Sequence, residues 1–286
     1  MDANVTFFKG IDVAVPIFEV KRNPMKRSGC PAEWEEQSAV QLIWPCSDSD
    51  WKDNLKEVVA CYIDIAKSIC PDQILIVVHK EYDNVRAHFT DKECDNIRFV
   101  ISEYDDTWGR DSSGISVWKH NNPKLYDFGF NAWGNKFPCS KDNELTRNIF
   151  DTKLFSTQVQ LVDKNDFVLE GGSIDCNGYG IALTTENCIF NNNRNPSLTE
   201  TEIESIIKDA LSIQELIVLR SGNLSGDDTD SHVDTLARFV NANTIVYSSC
   251  TDENYPFHKE LLLMEKELRV YKDRFELIKL PVPKVK

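Results

Sequence analysis

Leu55-Lys56-Glu57-Val58-Val59-Ala60-Cys61-Tyr62-Ile63-Asp64-Ile65-Ala66-Lys67-Ser68-Ile69 runs through Cys70-Pro71-Asp72-Gln73 into Ile74-Leu75-Ile76-Val77-Val78. The first part places Leu55, Val58, Val59, Tyr62, Ile65, Ala66 and Ile69 at helical spacing, which makes one face apolar. The last part is a short unbroken apolar run, the pattern of a buried strand. A helix followed at once by a buried strand is an α/β unit, and it sets the class of the chain.

The alternation extends in both directions. Residues 41–44, 97–101 and 114–118 read as strands, and 84–89 as a short helix. After Asp142 a second helix runs to about Phe150, and 167–169 is a strand. Ile174-Asp175 and residues 180–183 read as a hairpin, because Asn177-Gly178 supplies a turn with positive φ. Ser197-Leu198-Thr199-Glu200 reads as a capping box opening a helix that ends near Leu211. Then come strands at 216–219 and 244–247, a strand or short helix at 234–239, a helix at 257–270 and a last strand at 276–280. Two topologies fit: an open α/β sheet, or a ring of small α/β modules. The glycine fingerprints of dinucleotide-binding, P-loop and serine-hydrolase folds are absent from the sequence. The first thirty residues carry little signal, and 1–23 reads as partly irregular.

Size and composition narrow the class. The 286 residues, 41% hydrophobic and 27% charged, suit one domain over 1–286 with a sizeable core. A net charge of −14 argues against nucleic acid as a partner, since phosphates call for a basic face, and it fits a cationic small molecule. The nine cysteines lack a C-x-x-C pair and read as reduced, mostly buried thiols of a cytoplasmic protein. The five histidines are scattered without metal-ligand spacing. No signal peptide or membrane span is predicted.

Three polar stretches sit at predicted strand ends, where ligand groups concentrate. The first is Asp105-Asp106-Thr107-Trp108-Gly109-Arg110-Asp111, which alone reads more readily as a solvated turn holding an Arg–Asp pair than as a ligand site. The second is Leu169-Glu170-Gly171-Gly172-Ser173, a carboxylate at a place of close backbone approach or a tight turn with an exposed Glu. The third is Gly226-Asp227-Asp228-Thr229-Asp230-Ser231-His232-Val233-Asp234. If extended, it puts His232 and Asp234 on one face; the plainer reading is a calcium-like acidic loop, though EF-hand spacing fails. Together they supply several carboxylates and one imidazole, a set suited to a planar guanidinium. Trp108 adds a π face. Hydrolysis at the guanidinium carbon further needs a strong nucleophile and an acid for the departing ammonia, which a Cys thiolate and a His provide.

Six stretches in order carry a resemblance. They are Pro31-Ala32-Glu33-Trp34-Glu35, Trp108-Gly109-Arg110-Asp111, Phe128-Gly129-Phe130-Asn131-Ala132-Trp133-Gly134, Glu170-Gly171-Gly172-Ser173-Ile174, Asn193-Arg194-Asn195-Pro196, and Asp227 through Phe239. The chain resembles the agmatine deiminases of the peptidylarginine-deiminase-like group in the guanidine-modifying superfamily. The resemblance implies a five-module α/β propeller of the pentein type. It implies hydrolysis of agmatine to N-carbamoylputrescine and ammonia, a step toward putrescine, through a covalent thiouronium intermediate and without metal or organic cofactor. Residue by residue, it implies that Asp111 and Asp234 bind the guanidinium, Glu170 orients His232, and His232 is the general acid/base. Trp108, Arg110 and Trp133 are added as substrate-binding candidates. In the family the nucleophile is a cysteine after a Gly-rich stretch in a further C-terminal module. This chain ends at Lys286, none of its nine cysteines matches, and that module is expected to be missing. Ser112-Ser113-Gly114 replaces the usual Gly-Pro pair. Free or peptidyl arginine is the alternative substrate, and a guanidinium- or polyamine-binding protein without catalysis the alternative class. A homodimer is expected from the family alone. The sequence assigns no roles to Asp105, Asp106, Asp227 and Asp228.

Overall fold

The computed structural model describes residues 28–283 and, ahead of them, only the backbone of a two-stranded antiparallel sheet, β1 (Thr6–Phe7) and β2 (Ile11–Asp12). The reading of 1–23 as partly irregular otherwise lies outside the described residues. The rest is built on four three-stranded sheets. The first joins β3 (Ala39–Ile43), β4 (Ile74–His79) and β5 (Ile97–Ile101), all parallel. The second joins β6 (Ile115–Lys119), β7 (Asn122–Gly129) and β8 (Gln160–Val168). The third joins β9 (Asp175–Cys176), β10 (Ile181–Thr185) and β11 (Glu215–Leu219). The fourth joins β12 (Ala237–Asn241), β13 (Thr244–Ser249) and β14 (Glu276–Pro281).

In the last three sheets the order of events is the same. A tight antiparallel hairpin is followed by helix, and a third strand then returns parallel to the hairpin's second strand. A parallel return needs a crossover, and a helix is the usual one. The repeating α/β unit seen in the sequence is therefore a hairpin–helix–strand module.

The packing interlocks these modules. The first sheet buries Leu75, Val77 and Ile97 against its own helix Leu55–Ile69, through Ala66. Its other face, with Ile43, Ile76, Val78 and Val100, is covered by Leu145 and Ile149 of the helix Leu145–Asp151, which belongs to the second module. The second sheet's Val117, Tyr126 and Phe128 meet Ile203, Ile207 and Leu211 of the helix Glu200–Leu211, from the third. The third sheet's Leu183, Ile217 and Leu219 meet Leu261, Met264 and Leu268 of the helix His258–Arg269, from the fourth. Each later helix thus covers the sheet before its own.

Some expectations shift in detail. Strand β7 was not predicted, because Pro123, Lys124 and Asp127 interrupt its apolar run. Asp127 is nonetheless buried, and its carboxylate accepts from Asn165 Nδ2 (3.0 Å) and pairs with Arg147 (3.3 Å). Strand β8 begins seven residues before the predicted start, its polar Asp163-Lys164-Asn165-Asp166 lying where the register with β7 shifts. The capping box is Thr199 with Glu202, two residues beyond the predicted one, and both reciprocal bonds are made. Residues 233–241 are both options in turn, a helical turn Val233–Leu236 and then β12. The cysteines are not mostly buried: Cys70, Cys176 and Cys188 are, Cys61 is exposed, and the other five lie between. All nine are free thiols. The Asn177-Gly178 hairpin forms as expected, Gly178 at φ +74. Among the described residues no helix is long and apolar enough to cross a membrane.

Candidate active site

Three short helical turns lead into the first strands of the second, third and fourth sheets: Gly109–Ser112 before β6, Gly171–Ser173 before β9, and Val233–Leu236 before β12. The middle turn touches both of the others. These turns carry the polar residues singled out in the sequence, so residues far apart in the chain meet because they occupy the same place in successive modules.

Gly172 is the floor of the meeting point. Its N–H donates to Asp111 Oδ1 at 2.8 Å. A Cβ on Gly172 would lie 2.6 Å from Asp111 Oδ1, 2.6 Å from His232 Nδ1 and 2.8 Å from Asp234 Oδ2. Two carboxylates and an imidazole therefore converge on Gly172, so closely that a side chain at position 172 would clash with all three. In the Gly172→Ala variant φ is not the obstacle, since it is not in the left-handed region, but the new Cβ has to push the side chains of Asp111, His232 and Asp234 aside. The variant's binding of a guanidinium ligand should weaken by ~1–3 kcal/mol, the usual cost of overpacking, as read by titration calorimetry. Unchanged affinity would mean the ligand does not reach this space.

Asp111 is fixed from two sides, since Trp133 Nε1 donates to its Oδ2 at 3.0 Å. Trp133 is held in place by an unusual backbone. Ala132, Trp133, Gly134 and Asn135 have φ of 48, 56, 90 and 64, a left-handed turn that costs energy at each non-glycine residue. Asn131 closes the turn, its Oδ1 accepting from Gly134 N (2.9 Å) while its Nδ2 donates to the Asn193 carbonyl (2.8 Å). Burial pushes the Asp111 carboxyl above the usual aspartate value, against the lowering effect of the Gly172 and Trp133 donors. Burial likewise raises Asp234, with His232 opposing and Asp111 adding to the rise.

His232 is buried between carboxylates. Its Nδ1 lies 3.6 Å from Asp111 Oδ1 and its Nε2 4.0 Å from Glu170 Oε2, and Nε2 makes no hydrogen bond. Burial holds the imidazole below its ordinary value, with Glu170 and Asp234 pulling the other way, so it is neutral at neutral pH. The segment is not extended, as one sequence reading supposed. His232 has φ −51 and ψ 135 and Val233–Leu236 is a helical turn, yet His232 and Asp234 both face Gly172.

The remaining candidates lie around this core. Trp108 is 41% exposed and edge-on to Trp133, ring centroids 6.3 Å apart. Arg110 turns its guanidinium away to Glu33 and the Ile174 carbonyl. Glu33 also pairs with Arg238, which binds Asp175 at 2.8 Å. Asp105 caps Lys141 N, Asp106 accepts from Asp50 N and Thr107 N, and Asp227 accepts from Thr229 N and Ser231 N; these carboxylates shape loops. Asp228 offers its carbonyl to Lys136. A cavity of about 430 Å³ lined by Cys30, Glu33, Gln41, Arg110 and Cys176 reaches Gly171, but Asp111, His232 and Asp234 do not line it.

Sequence reading quoted Arg194 without giving it a task. It is buried, and its Nε sits 3.0 Å from both oxygens of Glu170. The signal was available in kind, since a buried strand-end carboxylate requires a buried cation. Glu170, Cys188 and His232 present ligand atoms within 4.8 Å of one another. A metal ion there would have to displace the Arg194 guanidinium, which already occupies the cation position beside Glu170. Cys188 Sγ lies 4.0 Å from Glu170 Oε2, and burial and then Glu170 hold its thiol well above the ordinary range, which is unfit for a nucleophile.

Asp111, Asp234 and the buried Glu170–His232 pair thus meet at one point, around Gly172. The chain belongs to the Porphyromonas-type peptidyl-arginine deiminase family, whose pattern it matches over residues 29–286. It is 33% identical over 265 residues to an agmatine deiminase of Pseudomonas aeruginosa strain LESB58, covering 88% of this chain and 70% of that one. A solved C. jejuni agmatine deiminase, a cysteine-to-serine variant with substrate bound, is 36% identical with a TM-score of 0.82, covering 93% of this chain and 77% of that one. An agmatine deiminase of Enterococcus faecalis, 28% identical, gives a TM-score of 0.80, covering 93% and 75%.

Proposed function

We propose that the protein is an agmatine deiminase, converting agmatine and water to N-carbamoylputrescine and ammonia. The observation that carries this is the convergence of Asp111, His232 and Asp234 on the space above Gly172. The two carboxylates take the guanidinium by charge-assisted hydrogen bonds. A cysteine thiol gives its proton to the neutral His232 as its sulfur attacks the central carbon, and His232, backed by Glu170, passes that proton to the departing ammonia, leaving the thiouronium. His232 then deprotonates the attacking water and returns that proton to the cysteine sulfur as the carbon–sulfur bond breaks.

Agmatine rather than arginine is supported by the state of the nearby cations. Arg110 and Arg238 are paired with Glu33, and Arg194 with Glu170 and Asp230. None of these three is left to receive an α-carboxylate, which agmatine does not have. The acidic balance of the chain suits the same cation.

The reading places the thiolate on a segment that packs against the open face of the fourth sheet, in the arrangement of a five-module propeller. Its support is the pattern of packing. Val246, Ile278 and Leu280 share one face of the fourth sheet, and Ile278 and Leu280 are 40% and 49% exposed, where earlier sheets carry the next module's helix. A cytosolic homodimer belongs to the same reading; its support is family likeness and nine free thiols.

The test is ammonia release from agmatine, arginine and peptidyl arginine by the protein made from its own gene. The expected result is the highest kcat/KM for agmatine. A higher kcat/KM for arginine would overturn the substrate. Agmatine raising the thermal midpoint with no ammonia released would turn the assignment to a binding protein.

A further inference from the structure

We propose that Arg194 is a positioning residue for the acid/base pair, tying Glu170 to the turn that delivers His232. The inference rests on the reading of His232 as the group that handles protons.

The geometry is that of a clamp. Arg194 Nε meets both oxygens of Glu170 at 3.0 Å. Its Nη1 donates to Asp230 Oδ2 at 2.7 Å and to Asn193 Oδ1 at 2.8 Å, and its Nη2 to the Thr229 carbonyl at 2.8 Å. Thr229 and Asp230 are the third and second residues before His232. One planar guanidinium therefore fixes the acid that backs the imidazole and the backbone that carries it. A lysine offers one point of charge and cannot span both.

The turn needs holding. Asp230 and Ser231 both adopt φ +67, a left-handed conformation that is strained in two successive non-glycine residues. Asp230 is the hub of the restraint. Besides Arg194, its carboxylate accepts from Lys136 Nζ (2.8 Å), which follows the Trp133 turn, and from Asn193 Nδ2 (3.0 Å). Thr185 Oγ1 donates to the Ser231 carbonyl at 2.7 Å. Loops from the second, third and fourth modules are thus joined through Asp230 and Arg194. Neither residue lies within reach of the Gly172 space in the way that Asp111 and Asp234 do, so their effect passes through His232 and Glu170.

The decisive readout is the imidazole of His232, followed by NMR across a pH titration and assigned with a His232→Asn variant. The charged groups that face it are Asp111, Glu170, Asp234, Asp227 and Arg194. Arg194→Gln removes the one cation among them and frees Glu170. The His232 midpoint should move up by about one pH unit or more, and kcat for agmatine should fall by up to about a hundredfold with KM little changed. Arg194→Lys should restore the charge, and so most of the midpoint, but only part of kcat. Should Arg194→Gln fail to fold, Asp230→Asn releases the turn while sparing the Glu170 contact, and a fall in kcat at constant KM is again expected. The proposal is overturned if the folded Arg194→Gln, or failing it Asp230→Asn, keeps kcat, or if KM rises in place of a fall in kcat. An unmoved His232 midpoint in folded Arg194→Gln overturns it equally. If the unaltered protein does not turn over agmatine, the functional reading fails, while the His232 titration still decides this one.

Discussion

In the His232→Ala variant, agmatine turnover is expected to fall by about 10²- to 10⁴-fold, the usual contribution of one general acid/base, while binding of agmatine is largely kept. The imidazole is the one neutral proton carrier at the Gly172 space, and both halves of the reaction use it. It is held neutral by burial, so it is ready to take a proton first and return it later. Binding survives because Asp111 and Asp234 supply the counter-charge and neither depends on His232 for a hydrogen bond. Steady-state kinetics together with calorimetry on the variant separate the two effects. Turnover within tenfold of the unaltered enzyme would remove His232 from the mechanism.

Asp111→Asn should act on the opposite quantity. Losing a charged hydrogen-bond partner costs about 1.5–3 kcal/mol, which is roughly a ten- to hundredfold rise in Kd. The amide is also mismatched to its surroundings. The carboxylate accepts from Gly172 N–H and Trp133 N–H, and an asparagine would turn its own NH₂ toward one of those donors. Equal Kd and kcat in the variant would show that the guanidinium sits elsewhere.

The same carboxylates set a pH dependence. Asp111 and Asp234 are both raised above the ordinary aspartate value, so each favours its protonated form in the folded chain. Their contribution to stability is full below the unfolded aspartate value and is lost as pH rises through the folded one. A bound guanidinium reverses this by favouring the ionised pair. Agmatine should therefore raise the thermal midpoint at neutral pH. The rise should shrink on acidification, with its own midpoint above the ordinary aspartate value. A rise that stays constant to low pH would contradict the two-carboxylate site.

What could be read from the sequence was what leaves a local trace. The helix Leu55–Ile69 and strands β4, β5 and β13 show through their apolar spacing, and Gly178 announces its hairpin. Short polar runs at strand ends marked the stretches, the family resemblance named Asp111, Glu170, His232 and Asp234 within them, and the structure brings the four together. Strand β7 was hidden because Asp127 is buried inside it, and the compensation comes from Arg147 and Asn165, outside the local pattern. Arg194 was hidden for the same reason: its partners are 24 and 36 residues away. Gly172 was quoted as a place of close approach, but what approaches it, Asp111 from 61 residues earlier, has no local signature. The motif suggests Arg110 as a substrate ligand but carries no trace of its ion pair with Glu33, 77 residues earlier.

The interlocked packing has a consequence for anyone dissecting this molecule. A cut placed between one module's last strand and the next module's first does not separate two finished bodies. It strips the upstream fragment's last sheet of a covering helix and leaves the downstream fragment's helix with a bare apolar stripe, as Leu261, Met264 and Leu268 would be without Leu183 and Ile217. Fragments meant to stay monomeric must overlap by a helix, and complementation between two halves should work when that helix is carried by the upstream piece.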